Sequence, residues 1–275
     1  MCGICGVVAL DDERDAADPL VLEQIARRMT AAMLHRGPDA AGALTDPGIA
    51  LGMRRLSIID RATGLQPVFS EDESIAVINN GEIYNFRELR AELEQRGFRF
   101  RTRSDTEAIV HAYEAWGDDA LARLRGMFAL AIYDRRARRL LLARDRLGIK
   151  PLYFTSVGGR LLFASEVRAL LASGIVSRQI SRAGLESYLL FGSVGEPDTL
   201  IEGVHSLPPG HALRLPLESR DQVEAVTEPY WTLPLHINGN GNGIGHDRKN
   251  GHAASTSDAA RTLRGLLEDL SLIHI

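Results

Sequence analysis

The sequence predicts an α+β protein built from antiparallel sheets covered by helices. Three observations carry this. Short apolar, partly β-branched runs recur along the chain, turn chemistry joins neighbouring runs as hairpins, and the helical segments fall in groups between them. A doubly wound parallel sheet would instead alternate strand and helix.

Residues 3–10 (GICGVVAL) read as a buried strand, being short, apolar and partly β-branched. Leu22, Ile25, Ala26, Met29 and Met33 share one helical face, which predicts a helix from about residue 18 to 34 with Pro19 at its first position. His35-Arg36-Gly37-Pro38-Asp39 ends it with Gly-Pro turn chemistry. Strands are predicted at 49–53, 75–79, 127–133, 140–143, 152–155 and 161–164. Between them, one helix starts at Asn85, with Glu88 in capping-box spacing and Phe86, Leu89 and Leu93 as its apolar face. A second starts at Asp105, with Ala108, Ile109, Ala112, Tyr113 and Trp116 on one side, and a third covers 185–191. Hairpin turns fall at 134–139 and at Gly158-Gly159.

Composition changes after Trp231: residues 236–258 are rich in Gly, Asn, Ser and His and read as a solvated linker. A helix then begins near Asp258 with Leu263, Leu266, Leu267 and Leu270 in register, and the sequence closes on Leu272-Ile273-His274-Ile275 in mid-element. The expected organisation is a domain over 2–215, a linker over 216–257 that is Gly/Asn-rich from 236, and the start of a further, truncated domain over 258–275.

The 275 residues carry a formal charge of -4, with 45% hydrophobic and 25% charged residues, as in an ordinary soluble protein. This balance gives no electrostatic basis for nucleic-acid binding. The arginine clusters Arg96, Arg99, Arg101, Arg103 and Arg135, Arg136, Arg138, Arg139 lack interleaved aromatics and read as solvated faces. No apolar run approaches the ~20 residues of a membrane span. Asp11, Asp12 and Glu13 interrupt the first apolar stretch, against a signal peptide. A cytoplasmic protein with neither a nucleic-acid nor a membrane partner is expected. Two cysteines make no disulfide framework, and no H-x3-H spacing completes a zinc site with the Cys2/Cys5 pair, so no metal is expected. On a strand, residues three apart face opposite sides, which sends Cys5 to the core.

Chemistry concentrates first at Met1-Cys2-Gly3-Ile4. One cut behind Met1 makes Cys2 the N-terminal residue, which then carries a thiol nucleophile and, on its own Cα, an amine to serve as base. Free thiols have pKa near ~8.5 and α-amines near ~8, so about a tenth of the amine is neutral at pH 7. Further motifs bear on Cys2. In Arg54-Arg55-Leu56-Ser57-Ile58-Ile59-Asp60, Arg55 at an apolar strand end suits bidentate capture of a carboxylate or a structural salt bridge. In Asn79-Asn80-Gly81-Glu82-Ile83-Tyr84-Asn85, Asn80 offers an amide donor and Gly81 a closely approachable N–H, the composition of an oxyanion hole and equally of an Asn-Gly turn. Asp105 in Ser104-Asp105-Thr106-Glu107 fits a helix cap and also a receptor for an α-ammonium. The runs Arg144 to Tyr153 and Ala164 to Leu170 read as architectural, burying charge pairs that fix loops around the site.

The motifs MCGICGV, HRGPD, RRLSIID, NNGEIYNF, RSDTE, GMFALAIYD, RDRLGIKPLY and SEVRAL, in this order over about residues 2–215, resemble the glutaminase domain of glutamine-dependent asparagine synthetases. That domain is a class II glutamine amidotransferase of the N-terminal-nucleophile hydrolase group. The resemblance implies a four-layer αββα sandwich. It implies Cys2 as nucleophile, Asn80 and the Gly81 N–H as oxyanion hole, and Arg55 on the glutamine α-carboxylate. It further implies Asp105 and Glu82 at the amino end, and the backbone of Leu56, Ser57, Ile58 and Ile59 lining the pocket. Glutamine would be hydrolysed through a γ-glutamyl thioester to glutamate and ammonia without a cofactor. ATP and Mg2+ are expected only in a synthetase domain that activates aspartate and uses the ammonia; its Ser-Gly-Gly-x-Asp-Ser loop does not occur in this sequence. The resemblance also implies a homodimer. Amidation of another carboxylate acceptor, or a non-catalytic glutamine-binding fragment, are the competing readings.

Overall fold

Alternation along each strand decides the architecture. The computed structural model describes residues 1–10, 17–57, 64–217, 225–233, 257, 260–265 and 267–268. In chain order the strands are β1 Gly3–Ala9, β2 Ala40–Asp46, β3 Ile49–Arg55, β4 Val68–Phe69, β5 Ile75–Ile83, β6 Gly126–Asp134, β7 Arg139–Arg144, β8 Tyr153–Val157, β9 Arg160–Ala164, β10 His205–Ser206, β11 His211–Pro216 and β12 Val226–Pro229. The helices are α1 Pro19–Ala32, α2 Phe86–Gln95, α3 Asp105–Trp116, α4 Ala120–Arg123, α5 Val167–Ala172 and α6 Arg182–Phe191. Two antiparallel sheets result, one ordered β10-β8-β9-β1-β3-β2 and the other β12-β11-β7-β6-β5-β4.

Side chains two apart share a face. Ile4 and Val8 of β1, Leu51 and Met53 of β3 and Phe163 of β9 meet Ala76 and Ile78 of β5, Ala129 of β6 and Leu142 of β7 between the sheets. The opposite face of the first sheet, with Cys5, Val7, Ala50 and Leu162, packs on Leu22, Ile25 and Met29 of α1 and on Leu170 of α5. The opposite face of the second sheet, with Val77, Leu130 and Leu141, packs on Leu89 and Leu93 of α2 and on Ile109 and Tyr113 of α3. Three cores between four layers make the αββα sandwich that the family resemblance implied. Each large side chain so buried contributes about 1.5–3 kcal/mol, and a one-residue slip of β1 would exchange its two faces.

Local chemistry sets the helix ends. Asp18 accepts the Leu20 N–H at 2.8 Å ahead of Pro19, and Ser104 accepts the Thr106 N–H at 3.2 Å. The capping box expected at Asn85 does not form. The Asn85 side chain instead donates to the Arg123 carbonyl and accepts the Arg125 N–H, at 3.0 and 2.9 Å, tying the start of α2 to the loop before β6.

Several strands go beyond the sequence pattern. β2 (AAGALTD) has little β-branched character and is a strand because it pairs with β3 along its whole length. β12 is exposed and pairs with β11, so the first compact unit runs Met1–Trp231, past the expected boundary at 215 and into the span read as linker. The second unit spans Thr232–Ile275. In it, residues 257, 260–265 and 267–268 are helical, with Leu263 and Leu267 exposed, while 234–256, Asp258, Leu266 and Leu270 lie outside the described residues. No helix among the described residues is long and apolar enough to cross a membrane. The second arginine cluster is held in ion pairs, Arg135 with Asp46 and Arg139 with Asp118, each at 2.6 Å.

Candidate active site

Cys2 lies at the N-terminal end of β1, which runs between β3 and β9 in the first sheet. Its backbone is held from several sides. Arg36 Nε donates to the Cys2 carbonyl at 2.8 Å, and Arg36 Nη1 pairs with Glu166 at 3.0 Å. Two residues on, Ser165 Oγ accepts the Ile4 N–H at 3.0 Å while the Ser165 N–H donates to the Ile4 carbonyl at 2.9 Å. The Cys2 thiol donates to the Leu56 carbonyl at 3.6 Å. Burial pushes this thiol above its ordinary pKa, and the positive charges of the chain's amino terminus and Arg55 do not fully offset it. The resting thiol is therefore protonated near neutrality and needs a base before it can attack. Cys5 points the other way, against Thr30 of α1, and burial pushes its thiol up to about 12. It is an inert core residue, and the C-x-x-C spacing forms no redox pair.

The turn after α1 shapes the second wall. Arg55 ends β3 and is buried, 5% exposed. Asp39 donates its N–H to the Arg55 carbonyl at 3.1 Å and accepts the Ser57 N–H on Oδ2 at 2.8 Å, fixing Arg55, Leu56 and Ser57 together. Gly37 lets the turn approach this closely: a Cβ there would lie 2.4 Å from the Arg54 carbonyl carbon and the Arg55 nitrogen. Ile58 and Ile59 lie outside the described residues.

Asn80, Gly81 and Glu82 are not in a turn; they belong to β5 and pair with Ala129, Phe128 and Met127 of β6. The register tells where the Gly81 N–H points. Phe128 spends both backbone groups on the β7 side, its N–H on Asp145 Oδ2 at 3.2 Å and its carbonyl on the Asp145 N–H at 2.8 Å. Gly81 and Phe128 are thus a non-hydrogen-bonded pair, and the Gly81 N–H faces away from β6. The flanking N–H groups on that edge are taken, Asn79 by Gln66 Oε1 at 2.7 Å and Ile83 by Asp105 Oδ2 at 2.9 Å. The Gly81 N–H between them faces the open edge. Glycine is required here for packing as well, since a Cβ would lie 2.1 Å from the Met127 carbonyl oxygen. Asn80, 1% exposed, shares the inter-sheet face with Ile78 and places Nδ2 3.4 Å from Ser165 Oγ, the group that also pins Ile4. Its Oδ1 is buried with no hydrogen-bond partner among the described residues.

Asp105 opens α3, but Ser104 is the cap; the Asp105 carboxylate reaches across to β5. Burial pushes Asp105 above the ordinary carboxylate range. Glu82 is pushed up to about 7 by burial and then by the Asp105 charge, with Lys150 opposing. A carboxylate whose proton affinity is raised by a second, buried carboxylate beside it marks a natural seat for a cation.

HRGPD reads in the sequence as a helix stop, and SEVRAL and RDRLGIKPLY as charge pairs that fix loops around the site. Arg36 and Ser165 grip the backbone of Cys2 and Ile4, and Glu166 holds Arg36 in place. Lys150 also faces the site, its Nζ donating to Met1 Sδ at 3.5 Å. The signal was the concentration of opposite charges in apolar surroundings, but spacing alone could not pair residues 36 and 166. The architectural reading does hold for Arg144, which pairs with Glu196 at 2.9 Å. No His, Cys, Asp and Glu grouping among the described residues suits a metal. The site offers a thiol needing a base, a backbone and an amide donor, a buried guanidinium and a carboxylate pair. Together these suit acyl transfer from a zwitterionic substrate.

Residues 1–231 match the family described as glutamine amidotransferase domain. The chain is 41% identical over 207 residues to an asparagine synthetase [glutamine-hydrolyzing] 1 of Bacillus subtilis (strain 168), covering 75% of this chain and 33% of that protein. It is 33% identical over 273 residues to an asparagine synthetase [glutamine-hydrolyzing] 3 of the same organism, covering 98% of this chain and 40% of that protein. The chain thus spans well under half the length of these relatives. The structure of a glutamine phosphoribosylpyrophosphate amidotransferase from B. subtilis superposes with a TM-score of 0.58 at 20% identity, covering 84% of this chain and 50% of that one, which bears on the fold alone.

Proposed function

The chain belongs to the glutamine amidotransferase domain family, and from that premise we propose that it hydrolyses L-glutamine to glutamate and ammonia through Cys2. With Met1 removed, the Cys2 α-amine takes the thiol proton and the thiolate attacks the side-chain amide carbon. The C–S bond forms as the carbonyl electron pair moves to oxygen, where Asn80 and the Gly81 N–H stabilise it; such a donor is typically worth ~2.7–4 kcal/mol. On collapse the C–N bond breaks and the amine returns its proton to the leaving nitrogen as ammonia. Water then cleaves the thioester to glutamate and the free thiol. Arg55 binds the α-carboxylate, Glu82 and Asp105 the α-ammonium, and the Leu56 and Ser57 backbone lines the substrate stem.

The observation that carries this reading is the Gly81 N–H, turned to the open edge of β5 between two engaged N–H groups, beside an Asn80 that touches the residue pinning the nucleophile's strand. The test is the release of glutamate and ammonia in equal amounts from glutamine by protein whose N-terminal residue is Cys2. Its absence overturns the reading. In the full-length protein the ammonia serves ATP-dependent amidation of aspartate, a reading supported by the names of the relatives. ATP and Mg2+ act in that synthetase segment, and no step above passes through them.

The pH dependence of binding follows from Glu82. Its folded pKa, about 7 against an ordinary 4.5, means that the carboxylate ionises only as pH rises through neutrality. The glutamine ammonium needs the ionised form. Affinity for glutamine, read by calorimetry in Cys2→Ala protein so that no turnover intrudes, is expected to rise between pH about 6 and 8 and then level. Glu82→Gln should bind more weakly and lose this rise. An unchanged pH profile in that variant would remove Glu82 from the ammonium site.

A further inference from the structure

Lys150 is 6% exposed, an unusual place for an ammonium. The turn around it is built to hold it there. Its N–H donates to Asp145 Oδ2 and its carbonyl accepts from Arg144 Nε, both at 2.9 Å. Asp145 also accepts the N–H groups of Phe128, Leu147 and Ile149, and Arg144 reaches the carbonyls of Gly148 and Leu207. A closed frame therefore carries the lysine side chain to the end of β1, where Nζ meets the Met1 thioether at 3.5 Å.

The charged groups facing this end come from four elements. Arg36 follows α1, Arg55 ends β3, Glu82 lies on β5, and Lys150 with Asp145 lies between β7 and β8. Arg36 is occupied by Glu166 and the Cys2 carbonyl. Among the described residues Lys150 makes no direct ion pair, and Glu82 favours its charged form only through space. Lys150 is thus the cation that touches Met1, the residue whose removal frees the Cys2 amine. Lys150 also lies close enough to Cys2 for the two charges to interact, and a like charge so placed disfavours the ammonium form of an amine. Burial keeps the Cys2 thiol protonated, so catalysis depends on having that amine neutral.

We propose that Lys150 holds the Cys2 α-amine in its neutral, proton-accepting form, acting as a positioning residue for the base without touching the reacting atoms. The proposal rests on the glutaminase reading for its consequence but not for its first test. In Cys2→Ala protein, with removal of Met1 verified, the N-terminal amine is acetylated across a pH series and the modified N-terminal peptide is quantified by mass spectrometry. The midpoint is expected below the ~8 of an ordinary α-amine, and Lys150→Met should raise it by about one to two pH units. Lys150→Arg should leave it low, because charge and not shape sets it. Equal midpoints in Lys150→Met and its parent overturn the proposal, as does an equal rise in Lys150→Arg, which would mark a packing effect. With Cys2 present, the acid limb of kcat at saturating glutamine, where Glu82 is already ionised against the bound ammonium, should move upward in Lys150→Met and not in Lys150→Arg. An unmoved limb in Lys150→Met also overturns the proposal. A depressed amine midpoint in a protein that releases no glutamate would refute the glutaminase reading and leave the lysine's role standing.

Discussion

Cys2→Ala is expected to lower glutamate release by about 10⁴-fold or more, with the fold intact, because the sequence's other thiol cannot take over the attack. Cys5, three residues away, faces α1 on the opposite side of the sheet and is fully buried, with its thiol pushed up to about 12. Alanine is also small enough to leave Met1 removal unaffected. What the substitution removes is the thiol and its long contact to the Leu56 carbonyl. The Arg36 bond to the residue-2 carbonyl and the double bond between Ile4 and Ser165 remain. Steady-state glutamate release and a thermal melt together check this. A loss of activity accompanied by a lower melting temperature would attribute the effect to folding, and retained activity would move the nucleophile elsewhere.

Asn80→Ala is expected to reduce kcat by about 10²- to 10³-fold with little change in KM. An oxyanion develops only as the thiolate adds, so a donor aimed at it stabilises the transition state more than the bound amide. Asn80 suits the test better than Gly81, where any side chain would collide with the Met127 carbonyl and confound chemistry with folding. The substitution also removes the 3.4 Å contact to Ser165, but Ser165 retains both of its bonds to Ile4 and should keep the nucleophile's strand in place. A rise in KM at constant kcat would instead assign Asn80 to ground-state binding.

Much of the fold was legible because its cores are written in period-two and helical patterns. Ile4, Val8, Leu51 and Met53 alternate as strands must, and Leu22, Ile25 and Met29 repeat as a helix face must. β2 was not legible, because its small residues AAGALTD have low strand propensity and become a strand only through the β3 edge. β12 was missed for a related reason: it is exposed on both faces and shows no burial pattern. At the site, residue types disclosed the chemistry, a thiol with an arginine, an amide and carboxylates. Their arrangement was not disclosed. Asn80-Gly81 reads as a turn by composition and is a strand by pairing, and the direction of the Gly81 N–H depends on how Phe128 is bonded. Asp105 was read as a possible cap, whereas Ser104 caps and Asp105 crosses to β5. The grip of Arg36 on Cys2 spans 34 residues and that of Glu166 on Arg36 spans 130, pairings that no local pattern encodes.

Cys2, with its own free amine, is expected to become acylated by glutamine. Acid-quenching the protein during turnover and mapping the N-terminal peptide by mass spectrometry tests it most directly. The expected result is a γ-glutamyl group on the sulfur of Cys2, in a peptide that lacks Met1 and disappears when glutamine is exhausted. Glutamate release by protein that carries no such adduct, or that still retains Met1, would contradict the account.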